Sequence, residues 1–468
     1  MRPRRLVAAV LAVPLLVLAA HLGVRAYSRM PSPAVHLAGL RMTSEGGIRR
    51  AGASWVHSVG SLLEVRLAGT PAAIGEAQSV LLHDEMVETE GVVWRLLDEK
   101  VPNRAARLLL LDVGQYAYRR LAGSMSGERR DEIAAGAAAF RPDPFADRFD
   151  TFQRFVYLAS LYDISLGYEH SPLVGCTTFT FSGAGAAGSP ILARAFDFDV
   201  DDVFDKKKAV FLVSEDGKIP FASVAWPGLV GVVSGMNREG LAVVVHGARA
   251  GPTRTTGEIV VHELRRVLSE ARTTDEAVAT LAKTDPLVSH IVIVNDASGH
   301  AAVIERVPGA RPFARPLPDR AAVTNHLEGP FASDPKNERV REVSSTLPRR
   351  ERGDELVKEL SHPATVEDAV RLLRDREGPG GAHLALGDRR AIDALIATHS
   401  VVMETATRRL WVSEAPHSLG RFVAFDLTTL LAPGAEPTDA PEAHPVVAAD
   451  PLLTSGDYAK LVAKPSAP

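Results

Sequence analysis

The stretch from Thr177 to His246 leaves little freedom about what this chain can build. Residues 177–181, 191–199, 209–214, 221–226, 231–234 and 241–246 are short runs rich in β-branched residues, separated by Gly, Pro and charged turns. That is the pattern of strands joined by tight connections, and it predicts an antiparallel sheet. Upstream, residues 63–67 alternate like a strand. Gly69-Thr70-Pro71 then offers an N-capping Thr and a first-turn Pro for a helix running through Leu82 and Met86. Helical periodicity covers residues 94–139 and 152–166. Beyond His246 come helices at 258–271 and 274–281, strands at 291–295 and 301–307, a helix after Glu338, and a hairpin pairing 400–404 with 410–414. Strands and helices grouped in this way suit an α+β layered fold better than alternating βαβ units. From Ala432 the chain is rich in Pro and Ala without periodicity, and an extended tail is expected.

Chemistry narrows on one residue. The 468 residues include a single cysteine, Cys176, which excludes an intramolecular disulfide and a Cys-rich zinc site. A lone thiol is either a small buried hydrophobe or a reactive group. The 53 Lys and Arg against 57 Asp and Glu give a net charge of -4, so no basic field favours nucleic acid. Three other patterns invite a function and lack its context. Gly183 to Gly188 fits GxGxxG, but Pro190 and a β-rich run follow where a dinucleotide site needs a helix N-terminus, so a hairpin turn is expected. His262-Glu263 is followed at position 266 by Arg in place of a second zinc-ligating His, which leaves a surface helix. The acidic residues Asp197, Asp199, Asp201, Asp202 and Asp205 lack EF-hand spacing and run into three lysines, as a solvated loop does, with Asp197 as the exception. No cofactor and no metal are expected.

At the N-terminus, Arg2, Arg4 and Arg5 precede an apolar stretch from Leu6 to Val24, with Val24-Arg25-Ala26 as a cleavage site. This reads as an export signal, and at roughly 19 residues it is also long enough for a membrane anchor with its basic end inside. The body of the protein is accordingly expected outside the cytoplasm, in the periplasm or beyond, free or anchored to the inner membrane.

Cys176 follows Gly175 and opens Cys-Thr-Thr-Phe-Thr-Phe, which the glycine turn connects to Ala193-Arg194-Ala195-Phe196-Asp197-Phe198. Adjacent antiparallel strands would bring Arg194 and Asp197 back beside the thiol, the guanidinium favouring thiolate. These two segments are followed in order by Gly235-Met236-Asn237-Arg238-Glu239-Gly240-Leu241-Ala242-Val243, Ile293-Val294-Asn295-Asp296, Thr324-Asn325-His326, Glu338-Arg339-Val340-Arg341 and Thr398-His399-Ser400. Together with Gly69 to Gly75 upstream, the series resembles peptidase family C45, the penicillin acyltransferase-like group of N-terminal-nucleophile hydrolases, with bile-salt hydrolases and acid ceramidase as more distant relatives.

The resemblance spans about residues 60–430. It implies a four-layer αββα sandwich and a chain that cuts itself between Gly175 and Cys176. Residues 1–30 would then be a signal peptide or anchor, 31–175 a propiece or α-chain, 176–430 the catalytic β-chain, and 431–468 the tail. The two chains would stay associated. The implied activity is hydrolysis of, or acyl transfer from, a small-molecule amide or ester through a thioester on Cys176. Arg194 and Asp197 match the family's nucleophile-supporting pair, Asn325 its oxyanion donor, and Arg341 or Arg339 a supporting charge, while Asn237 and Gly240 belong to a turn. His246 departs from the family's Asn at the end of its strand, where a neutral imidazole N–H could donate to the oxyanion. Two other readings stay open: a lipid amide or ester hydrolase of the ceramidase or phospholipase B-like kind, and a membrane-tethered binding protein that never cleaves.

Overall fold

The structure, a computed structural model, describes residues 3–167, 174–438 and 440–463, with side chains from Leu15 onward except at Val174. Arg2 and the end of the predicted tail, residues 464–468, lie outside the described residues.

Two antiparallel sheets stack face to face. The larger runs in spatial order Thr43–Glu45, Ile48–Ala51, Ser54–Val59, Leu62–Gly69, Ala209–Glu215, Phe221–Ala225, Ser234–Asn237, Ala242–Gly247, His290–Asn295, Ala301–Arg306 and Phe313–Pro316. The smaller runs Arg320–Val323, Val174–Phe181, Ile191–Phe198, Ala397–Glu404, Arg409–Ser413, Phe422–Asp426 and Val446–Val447. One pair departs from the expected antiparallel order: Leu62–Gly69 lies parallel to Ala209–Glu215, so the segment before Cys176 is stitched into the same sheet as the segment after it.

Period-two alternation sorts the side chains into three cores. Val210, Leu212, Val244 and Ile293 of the larger sheet meet Leu192, Met403, Val412 and Phe425 of the smaller between the sheets. On its other face the larger sheet presents Val65, Val213, Val243 and Val245 to Ile74, Ala77, Ile133, Val156 and Leu264 on helices. The smaller sheet turns Phe179, Phe181, Ala193 and Val402 towards Leu356, Leu360, Val370 and Leu373 of the helices Thr346–Glu359 and Val366–Leu373 and the residue that ends the first. Helix, sheet, sheet, helix is the αββα order. Each buried Leu or Phe contributes about 1.5–3 kcal/mol to holding these layers.

Thr70 caps the helix Pro71–Leu81, accepting from the Ala73 N–H, with Pro71 in its first turn. Gly75 within that helix lies against Gly127–Ala139, where a Cβ would run into the Glu132 carbonyl. The crossing therefore requires glycine there.

Two expectations need correction. The helix Val260–Glu270 is not a surface helix: His262 and Glu263 are buried, and Glu263 pairs with His290 and Arg306. The segment after Ala432 is not simply extended, because Val446–Val447 adds an edge strand and Leu452–Ser455 and Asp457–Val462 are short helices. The glycine-rich run forms a single turn, Gly183–Gly185, joining two paired strands, and Asp199, Asp201, Asp202 and Asp205 pair with Arg389, Arg95, Lys206 and Lys208. Among the described residues no helix is long and apolar enough to cross a membrane, and no cluster of residues suited to a metal ion occurs.

Candidate active site

In the register of the first two strands of the smaller sheet, Cys176 faces Phe196, Thr178 faces Arg194, and Gly175 faces Asp197. Residues directly opposite share a face, so Arg194 and Asp197 approach the cysteine from opposite sides of the sheet and do not pair with each other. On the inter-sheet face, Arg194 Nη2 donates to Cys176 Sγ at 3.2 Å and to the Val245 carbonyl at 2.7 Å. Its Nη1 donates to Ser234 Oγ at 2.6 Å and to His399 Nε2 at 3.3 Å. The guanidinium lies 4.0 Å from the centre of the Phe196 ring, a cation–π contact. Arg194 is thus a buried cation among neutral acceptors, and its nearest group able to take negative charge is the thiol.

Burial pushes the Cys176 thiol above its ordinary pKa, and Arg194 opposes that rise. The side chain is completely inaccessible. The helix Leu161–Gly167 contributes to this cover, with Tyr162 and Leu166 packed against Gly247. Burial next to Cys176 raises the Tyr162 phenol well above its usual range.

The other face carries the backbone contacts. The Cys176 N–H donates to Asn325 Oδ1 at 2.7 Å, just beyond the strand Arg320–Val323 that pairs with the cysteine strand. The Asn325 amide in turn donates to the Gly247 carbonyl at 3.1 Å. Arg349, in the helix Thr346–Glu359, donates to the Cys176 carbonyl, to Thr177 Oγ1 at 2.9 Å and to Asn325 Oδ1 at 3.0 Å. Gly353 lets this helix approach closely, since a Cβ there would stand 2.8 Å from Ala322 Cβ. Asp197 and Arg349 border Gly175: a Cβ there would make ordinary contacts, 3.5 Å from Asp197 Oδ2 and 3.7 Å from Arg349 Nη2.

Asp197 is pushed up to about 7 by burial, opposed chiefly by Arg349. The folded chain therefore holds a proton between about pH 4 and 7 that the unfolded chain releases, and stability falls as pH rises through that window. A shift of this size corresponds to up to ~4 kcal/mol. Urea unfolding of Cys176→Ala and of Cys176→Ala/Asp197→Asn at about pH 5 and about pH 7.5 checks this. The first should lose stability at the higher pH and the second should lose much less.

Comparison with known proteins adds to this geometry. Residues 185–415 match the family model described as acyl-coenzyme A:6-aminopenicillanic acid acyl-transferase. The match covers 231 of the chain's 468 residues. No curated protein matches the chain. Among solved structures, the chain is similar to a Caenorhabditis elegans N-acylethanolamine-hydrolyzing acid amidase ortholog, at 17% identity over 49% of this chain and 93% of that one, TM-score 0.38. It is also similar to a mutant conjugated bile acid hydrolase from Clostridium perfringens, at 9% identity over 58% and 96%, TM-score 0.38. Penicillin V acylase from Agrobacterium tumefaciens shares 14% identity over 59% and 92%, TM-score 0.28.

The matched segment contains Arg194, Asp197, His246, Asn325 and Arg349, while Gly175 and Cys176 precede it. Two expected roles do not fit the structure. His246 Nδ1 faces the Thr324 carbonyl at 3.1 Å, an acceptor only, so it carries the proton; Nε2 then accepts from Thr178 Oγ1 at 2.7 Å. Burial and Arg194 hold the ring well below its ordinary pKa, so it is neutral and has no N–H left for an oxyanion. Arg341 and Arg339 are exposed on the helix Pro335–Val343, Arg339 pairing with Glu342, and neither reaches the cysteine.

Arg349 takes the position expected of them. Arg349, Arg352, Gly353, Leu356 and Val357 are the buried stripe of their helix. The 3.6-residue period through Leu356 and Gly353 could have singled out Arg349 as an arginine on an inward face. His399 and Ser234, which hold Arg194, gave no signal beyond lying in or beside the quoted motifs. Asn237 closes its turn by accepting from the Glu239 and Leu241 N–H groups.

Proposed function

We propose that the protein is a self-activating cysteine amidohydrolase or acyltransferase whose nucleophile is Cys176. The observation that carries this reading is the set of contacts on one residue: Arg194 on its sulfur, Asn325 on its N–H, and Arg349 on its carbonyl. The backbone contacts would satisfy any buried residue, but a structural thiol needs no guanidinium on its sulfur.

In the intact chain the thiol is closed to any external substrate, which leaves the neighbouring Gly175 carbonyl as its target. The sulfur attacks that carbon, helped by Arg194, which favours the thiolate. The C–N bond to Cys176 breaks with no net gain or loss of protons, the thiol giving one up and the departing nitrogen taking one. Asp197, on the Gly175 side with its pKa near neutrality, is the group suited to donate it. Water then opens the thioester, leaving a Gly175 carboxylate and a free Cys176 amine. That amine, with an unperturbed pKa of about 8, serves as the base for its own thiol. In each later turnover the sulfur takes the acyl group of an amide, the amine passes the thiol proton to the leaving nitrogen, and water or an amine acceptor releases the product. Asn325 stays within reach of the amine through Oδ1 and steadies it. Since His246 has no N–H to offer, the oxyanion is left to Asn325 and to backbone N–H groups.

Incubation of the protein with a small amide substrate, followed by mass spectrometry after acid quench, tests the turnover step. An acyl adduct on the Cys176 peptide, released by hydroxylamine and absent in Cys176→Ala, is expected. Substrate turnover that persists in Cys176→Ala would refute the assignment.

A further inference from the structure

Exposed large apolar side chains are concentrated in one place. Six lie on the helix Pro3–Tyr27 and five on the helix Arg104–Tyr118, against five scattered over the rest of the described residues. The second helix is inside out. Ala105, Ala106, Leu109, Leu110, Val113 and Tyr116 share one face and all are exposed, with Leu109 at 64% and Val113 at 57%. Its polar residues face the protein instead: Gln115 is buried, Arg107 pairs with Asp98, and Asp112 takes His21 of the first helix at 2.8 Å. A surface helix normally buries its apolar stripe and exposes its polar one, so this face is built for a medium that is not water.

The two helices are tied together by that His21–Asp112 pair, which makes their apolar surfaces continuous. On the first helix Leu15, Leu16, Val17, Leu18, Ala19 and Ala20 are all exposed. Six consecutive residues cover every side of a helix. A second copy of the chain would cover one side; a hydrocarbon phase covers all of them. At the edge of the patch the Arg119 guanidinium stands 5.4 Å from the Tyr27 ring and 4.3 Å from the Tyr116 ring, with the two rings 6.0 Å apart. Arg104 and Arg120 are exposed at the two ends of the second helix. Tyrosines and arginines bordering an apolar surface are the side chains that settle at the headgroup level of a bilayer.

We propose that the helix Arg104–Tyr118 is an interfacial membrane helix, lying in the outer part of an anionic lipid bilayer alongside the first helix, so that the body of the protein is held against the membrane by two elements and not by its N-terminus alone. The helix has 15 residues, about 22 Å of rise, too short to span and long enough to lie flat. This contact is independent of the chemistry assigned to Cys176.

The single cysteine makes the test direct. In the full-length Cys176→Ala chain, Leu109→Cys introduces one thiol for an environment-sensitive fluorophore, and Lys358→Cys, on the exposed side of the helix Thr346–Glu359, gives the control. Both are mixed with vesicles of phosphatidylethanolamine and phosphatidylglycerol whose acyl chains are brominated or plain. The expected result is a blue shift and a several-fold greater loss of emission for L109C than for K358C, weaker on purely zwitterionic vesicles. Equal quenching at the two positions would overturn the proposal. So would a label at L109C that is shielded without lipid in a chain sedimenting as a dimer, because a second copy would then be the occupant.

Discussion

Replacing Arg194 by Met is expected to slow self-cleavage and the reaction of Cys176 with a thiol-directed electrophile by about 10²–10³-fold, while leaving the folded state nearly as stable as before. The first effect follows from position. Arg194 is the only cation donating to Sγ among the described residues, and it is the main influence opposing the rise that burial imposes on the thiol. Removing a buried donor aimed at developing negative charge costs about 3–4 kcal/mol of barrier. The second effect is a balance. The substitution takes a donor from the Val245 carbonyl, a loss of about 1–3 kcal/mol, while Ser234 Oγ and His399 Nε2 keep each other at 3.0 Å. It also removes a charge that is buried with no carboxylate in contact, whose desolvation costs several kcal/mol. Labelling kinetics and urea unfolding on the same samples separate the two effects. A reactive thiol in a stable Arg194→Met chain would show that the guanidinium is a structural strut.

The second large effect is expected at Arg349. Replacing it by Met should reduce self-cleavage about 10²-fold and move its pH dependence, whereas Arg341→Met should change neither. Arg349 fixes the Cys176 carbonyl and the Asn325 amide together, and it is the largest influence holding the Asp197 carboxyl down. Without it Asp197 rises further and keeps its proton to higher pH, so the limb of the profile assigned to Asp197 shifts upward. Lysine is a poor substitute, because one ammonium cannot reproduce a fork that reaches Cys176, Thr177 and Asn325 at once. Cleavage rates of the purified variants across pH read both the loss and the shift. An unshifted profile would detach Arg349 from Asp197.

Local pattern made part of this legible in advance. The β-branched runs after Cys176 and the Thr70-Pro71 helix start were readable because alternation and capping act over a few residues. The register that puts Arg194 on the thiol spans a nine-residue connection, and the alternation along the two strands is what sets which side chains share a face. The same register separates Arg194 from Asp197, a consequence of three residues' spacing on a strand that was not drawn from the motif. Arg349 was hidden for a different reason. The order of motifs pointed to the arginines at 339 and 341, but a helix places a side chain by its angle as well as its position, and theirs face solvent. His246 shows a limit of residue type: its chemistry permits an N–H donor, and only the partners Thr178 and Thr324 reveal that both nitrogens are used. The inverted helix Arg104–Tyr118 passed as ordinary helical periodicity, since a period does not say which face meets the protein.

The central claim is that the chain cuts itself at Cys176, and N-terminal sequencing of the purified protein after a denaturing gel tests it most directly. The account predicts two fragments, the larger beginning Cys-Thr-Thr-Phe-Thr-Phe, and a single uncut chain for Cys176→Ala. A wild-type chain that stays in one piece while the protein is active, or a cut that persists in Cys176→Ala, would contradict it.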